Sequence, residues 1–232
     1  MSELVNDAGA KVLEWSVIEA RGPESESFLQ GQLSQDLTSL EARGAWALLL
    51  APDSVIITTC FVTRVDDGFD MVVPRELADD AATRLRRFLL RTKCTLEIGE
   101  VDEGPFATLS EQIDAAWPGP HEFAAGLAPH SFGRSFVDAT ISFQKGCFTG
   151  QELVARLDAR GSSVPWRFVR VSGPSRAQVD QVLKSKGPAG PQGVTSERIR
   201  DEHFEGLGIA HRSLLSAPRD ESNGEVTVDE VG

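Results

Sequence analysis

Between residues 46 and 100 the chain alternates short apolar runs with clear breaks, and this rhythm limits its folds more than any other feature. Residues 46–50, 55–63 and 69–73 have the length and the apolar, partly β-branched content of strands, and Pro52-Asp53 and Asp66-Asp67-Gly68 interrupt them. The period then changes. Leu77, Ala81, Leu85, Phe88 and Leu89 fall on one face of a helix predicted over 75–91, and 92–100 returns to a strand. Upstream, 11–20 reads as a strand and Gly22-Pro23 as a turn. Glu24 and Glu26 then load acid onto the first turn of a helix in which Phe28, Leu29, Leu33 and Leu37 keep helical spacing. Downstream the pattern loosens. Residues 101–135 read as irregular and rich in Pro and Gly, with weak strand signals at 106–109. A helix is predicted from 150 to Gly161, a strand over 166–172, a short helix over 174–183, and strands at 194–196 and 207–210. From Ala217 onward the reading is a disordered acidic tail.

Composition excludes some functions. A net charge of −12 argues against nucleic acid as a partner, because neutralising phosphates needs a clustered basic surface. Three widely spaced cysteines form no CxxC pair and no disulfide framework, which fits a reducing compartment. The first residues lack a basic and apolar leader, and the longest apolar run, 45–52, is too short to span a bilayer. The expectation is a cytoplasmic protein with no membrane partner. His121, His130, His203 and His211 show no metal-ligand spacing and read as surface or loop residues, so no metal site is expected.

The chemistry concentrates in Lys145, Gly146, Cys147, Phe148, Thr149, Gly150, Gln151 and Glu152. A core segment has no use for a cysteine, a lysine, an amide and a carboxylate set around two glycines. Glycine permits a sharp turn or close approach to a ligand. Lys145 beside Cys147 would favour the thiolate, the reactive form of cysteine. Cys60 and Cys94 sit in apolar or β-rich runs and read as buried and inert.

This octapeptide resembles the Lys-Gly-Cys-Phe/Tyr-x-Gly-Gln-Glu signature of the YgfZ-type folate-binding proteins, relatives of the glycine cleavage T-protein. Phe28 to Leu37 is similar to the family's Phe-Leu-Gln-Gly-Gln element, Arg87 to Lys93 to the end of its middle-domain helix, and 194–196 with 207–210 to parts of its C-terminal barrel. The resemblance implies an α+β, T-protein-like fold of subdomains around a central pocket, with a shortened barrel-like C-terminal part. The domains it implies are a folate-binding region over 1–162 with a subdomain inserted at about 46–100, a truncated β-rich part over 163–216, and the tail 217–232. It also implies tetrahydrofolate or a one-carbon derivative as ligand, and iron–sulfur client or assembly proteins as partners. The implied function is accessory, supporting assembly or repair of iron–sulfur clusters. Two alternatives stand beside it: a folate-dependent aminomethyltransferase or demethylase, and an interaction module without folate binding. At the position where aminomethyltransferases carry a carboxylate, this chain has Ile57 or Thr58, which removes a proton-transfer group.

Cys147 and Lys145 are the candidates for chemistry. Gln32, Asp36, Gly146, Gly150, Gln151, Glu152 and Arg156 are the candidates for holding the ligand. Each also has a plainer reading. Lys145 is a solvated lysine or a charge acting on Cys147 or on a folate tail. Gln151 and Glu152 either begin a helix or line a pocket. Glu152 and Arg156 are four apart, which allows an ion pair that explains both. Gln32 and Asp36 would share one face of the first helix, toward the pocket or toward water. Arg84, Arg86, Arg87, Arg91 and Lys93 form a solvated helix face or a docking surface for an anion.

Overall fold

A computed structural model describes residues 11–161, 163–216 and 226–232. The first half forms a five-stranded antiparallel sheet from β1 (Trp15–Arg21), β2 (Ala45–Leu50), β3 (Ile56–Val65), β4 (Gly68–Pro74) and β5 (Thr95–Glu100), in the order β2-β3-β4-β1-β5. The β3–β4 turn is set by Asp66-Asp67, with Val65 opposite Gly68. A side chain at Gly68 would run into the carbonyl of Ala20, so only glycine fits there.

Alternation gives the sheet two apolar faces. Ala47, Leu49, Cys60, Val62, Met71 and Val73 face one core, which α1 (Ser25–Gln32) and α2 (Arg75–Arg86) cover. Leu48, Leu50 and Ile56 face another core, shared with Phe168, Leu207 and Ile209 of the second half. Each such buried side chain contributes about 1.5–3 kcal/mol. The second half is a four-stranded antiparallel sheet, β7-β8-β6-β9, built from β6 (Trp166–Gly173), β7 (Gly193–Arg200), β8 (His203–His211) and β9 (Thr227–Glu230). Val169 and Val171 turn to its other face, where Val179 and Leu183 of α7 (Arg176–Leu183) cover them. α8 (Arg212–Leu215) follows β8.

Several expectations are corrected. Residues 46–100 are not an inserted body, because β1 sits between β4 and β5 in the same sheet. The boundary at 162/163 does not divide the core, since Leu48 and Phe168 share one cluster. The barrel-like part is an open sheet among the described residues. The disordered tail gives way, over 227–230, to β9 paired with β6, while 217–225 lie outside the described residues. Residues 101–135 are also more ordered than their composition suggests. They hold α3 (Leu109–Asp114), α4 (Pro120–Phe123), a 3-10 turn (Pro129–Phe132) and the start of α5 (Arg134–Thr140). The strand signal near 106–109 is a single bridge, Val12 to Thr108.

Candidate functional site

The octapeptide follows α5 and runs into the first turn of α6 (Gln151–Ala159), and its geometry begins at the end of α1. That helix stops at Gln32 because Leu33 is extended (φ −98°, ψ 152°) and bridges to Leu49 of β2. Ser34 completes the junction. Its amide donates to Leu48 O (3.0 Å), its hydroxyl donates to Thr140 O (2.7 Å), and that same hydroxyl accepts from the Leu48 amide (2.7 Å). Leu33 and Leu37 are fully buried, but through this turn and not through the helical face expected of them.

Asp36 lies beyond the helix and does not share a face with Gln32, which corrects the sequence reading. Its carboxylate accepts from the amide (3.0 Å) and hydroxyl (2.7 Å) of Thr38 and from Gln30 Nε2 (2.8 Å). Bonds from Thr38 and Gln30 hold its pKa down to about 2.

The octapeptide and the residues just before it are stitched onto this turn. The Thr149 amide donates to Gly31 O (3.1 Å) and the Ser142 amide to Ser34 O (3.0 Å). Lys145 is buried and donates to Leu33 O (2.6 Å) and Gln35 O (2.8 Å), with its ammonium 5.4 Å from the centre of the Phe148 ring. Burial pushes its pKa down to about 8, opposed by the carboxylate of Asp36. The lysine is therefore committed to two backbone carbonyls, a fixed structural role that its adjacency to Cys147 did not reveal.

Gly150 caps α6 in the left-handed region (φ 81°, ψ 5°). A Cβ there would meet Ala51 O at 2.6 Å, and its carbonyl accepts from Ser54 Oγ (2.5 Å). Gly146 is exposed with open space around it, so nothing in its surroundings requires glycine. Cys147 is exposed. Cys60 is buried and its thiol is pushed up to about 12 by burial, while Cys94 is half-buried and raised by the same cause. Gln151 is half-buried at the start of α6. Glu152 accepts from Arg156 at 2.6 Å in an exposed i,i+4 pair, the plainer of the two readings their spacing allowed.

The structure brings Gln32 and Thr149 together, with the Thr149 hydroxyl 3.4 Å from Gln32 Oε1. Both line a cleft of about 100 Å³, walled by Leu50, Ile57 and Phe88 and edged by Arg84 and Arg87. Cys147, Glu152 and Arg156 do not line it. Sequence reasoning missed Thr149, which fills the variable position of the signature. It read Arg84 and Arg87 as part of a helix face. Their spacing after Leu77 and Ala81 was visible, but the cleft they edge exists only once the β2–β3 turn folds beside them. His130, read as a surface or loop residue, is buried with neither ring nitrogen hydrogen-bonded; its Nε2 stands 4.0 Å from Asp158 Oδ1, and burial lowers its pKa.

No family model matches the chain. The chain is 24% identical to the tRNA-modifying protein YgfZ of Klebsiella pneumoniae over 65% of its own length and 67% of that protein's. It is 23% identical to an uncharacterized protein of Haemophilus influenzae over 67% of this chain and 70% of that one. The crystal structure of glycine cleavage system aminomethyltransferase T from Bartonella henselae superposes with a TM-score of 0.56 at 13% identity, over 87% of this chain and 77% of that one. The fold is therefore T-protein-like and the sequence YgfZ-like. No helix among the described residues is long and apolar enough to cross a membrane.

Proposed function

We propose that this chain, YgfZ-like in sequence and T-protein-like in fold, binds a reduced folate and acts as an accessory protein for iron–sulfur enzymes. One observation carries the reading: two separate sequence elements, 28–37 and 145–152, converge on a single cleft through Gln32 and Thr149. The residues present suit part of a folate. An amide and a hydroxyl offer donors and acceptors for a flat heteroaromatic ring, and Leu50, Ile57 and Phe88 offer apolar walls. At about 100 Å³ the cleft seats a ring-sized fragment and not a whole folate. A bound reduced folate would supply a one-carbon carrier nitrogen.

Among the described residues that line the cleft, none is an acid. Ile57 lines the cleft and Thr58 is buried, donating its hydroxyl to Thr59 O (2.9 Å). Aminomethyl transfer needs proton movement at the carrier, so the accessory role is favoured over the enzymatic one. Cys147 is an exposed thiol that fits transient contact with sulfur or iron on a client. A single thiolate does not hold a cluster, which takes four protein ligands. The tRNA-modifying name of one relative is not extended to this chain, whose charge of −12 opposes a phosphate backbone.

Thermal unfolding with and without saturating tetrahydrofolate tests the reading. Ligand at a hundred times Kd should add about 2.7 kcal/mol. An unchanged midpoint leaves the interaction-module reading in its place.

A further inference from the structure

The surface just past α2 differs from the rest of this acidic chain. Phe88 is 51% exposed and Leu90 85%, with Arg87, Arg91 and Lys93 exposed around them. Neighbouring arginines are occupied: Arg84 pairs with Asp80 at 2.8 Å and Arg86 donates to Leu96 O at 3.0 Å. The side chains of Arg87, Arg91 and Lys93 have no hydrogen-bond or ion-pair partner among the described residues. Arg91 also stands at φ 64°, a region that L side chains adopt at a cost. The chain thus keeps an arginine where glycine would be easier, directly after the largely exposed Leu90. Strain of this kind gathers at binding surfaces.

We propose that the turn over 87–93 docks an acidic segment of a partner polypeptide that carries an apolar anchor. Three free cations supply charge complementarity, which steers and registers an acidic partner. Phe88 and Leu90 supply a small apolar seat. Two side chains are too few to adsorb to a bilayer, and exposed Asp79, Asp80, Glu97 and Glu100 nearby oppose an anionic membrane. Arg87 and Phe88 also edge the cleft that Thr149 lines, so a docked partner lies beside the loop that carries Cys147. This docking does not depend on the folate reading and fails separately from it.

The test is fluorescence anisotropy with the full chain and a fluorescein-labelled, glutamate-rich peptide bearing two central leucines. Saturable binding that weakens with salt is expected. Leu90→Ser, and Arg87→Glu combined with Arg91→Glu, should each weaken it about tenfold, while Arg43→Glu, an exposed arginine elsewhere, should leave it unchanged. Arg91→Gly relieves the left-handed strain, so this variant should fold at least as well and still bind less tightly. Equal binding by the leucine-free peptide, or by the doubly reversed protein, overturns the proposal. So does cosedimentation with phosphatidylglycerol vesicles in place of peptide binding. Self-association abolished by Arg87→Glu overturns it too, by making the occupant a second copy.

Discussion

The two glycines of the Cys147 loop carry different obligations. Gly150 is left-handed and pressed against Ala51 O, so Gly150→Ala should destabilise by about 1–2 kcal/mol or more. Gly146 is neither left-handed nor crowded, and Gly146→Ala should be close to neutral in the same urea unfolding experiment. The cysteines separate as clearly. Iodoacetamide should label exposed Cys147 first, half-buried Cys94 slowly, and Cys60 only on unfolding. Lys145→Met removes the donor to two carbonyls and should cost about 1–3 kcal/mol, yet leave the rate of Cys147 labelling unchanged. A large drop in labelling would instead return Lys145 to the role its sequence neighbourhood suggests. At this scale the sequence showed that the loop turns on glycine, and Gly150 is the position that needs one. It could not show direction, and so it missed where Lys145 points and that Asp36 caps a turn.

At the scale of elements, the strands were legible because period-two alternation and turn residues are local signals. α1 and α2 were legible too, though both end earlier than their apolar spacing suggests, α1 because Leu33 leaves the helix to join β2. α3, α4 and α5 are four to seven residues long, too short to form without tertiary packing, and their sequence carries little helical period. β9 was hidden by its acidic composition. Only its pairing with β6 and the packing of Val226 and Val228 against the outer core make it a strand. Removing residues 226–232 should therefore cost about 2 kcal/mol, which a thermal scan would read as a fall of about 4–8 °C. An unchanged midpoint would mean that β9 adds nothing to the sheet.

At the scale of the molecule, one of the cores is shared by both sheets, so the two halves should unfold together and titrating groups in either should report on both. Burial lowers the pKa of His130 from 6.5, with Asp158 opposing and Arg134 and Arg167 assisting. Above that value both states are neutral. Below it the unfolded chain takes a proton that the folded chain resists, so stability should fall as pH drops below 6.5. Asp36 and Asp114, each held near 2, add a second loss as pH falls from 3.8 toward 2. Urea unfolding across this range should show both, and His130→Leu should remove the upper one alone. The sequence carried the T-protein-like fold class through its motifs. The union of its halves in one core was not visible, because the burial of Leu48 and Phe168 in one cluster leaves no local trace.

The central claim rests on Gln32 and Thr149 meeting at one cleft, and calorimetric titration with tetrahydrofolate reads it directly. The account predicts saturable one-to-one binding by the native chain, weakened about tenfold in both Gln32→Leu and Thr149→Val, each of which removes one good hydrogen bond to the ligand. Absence of binding heat from the native chain, or equal affinity in native and variants, would contradict it.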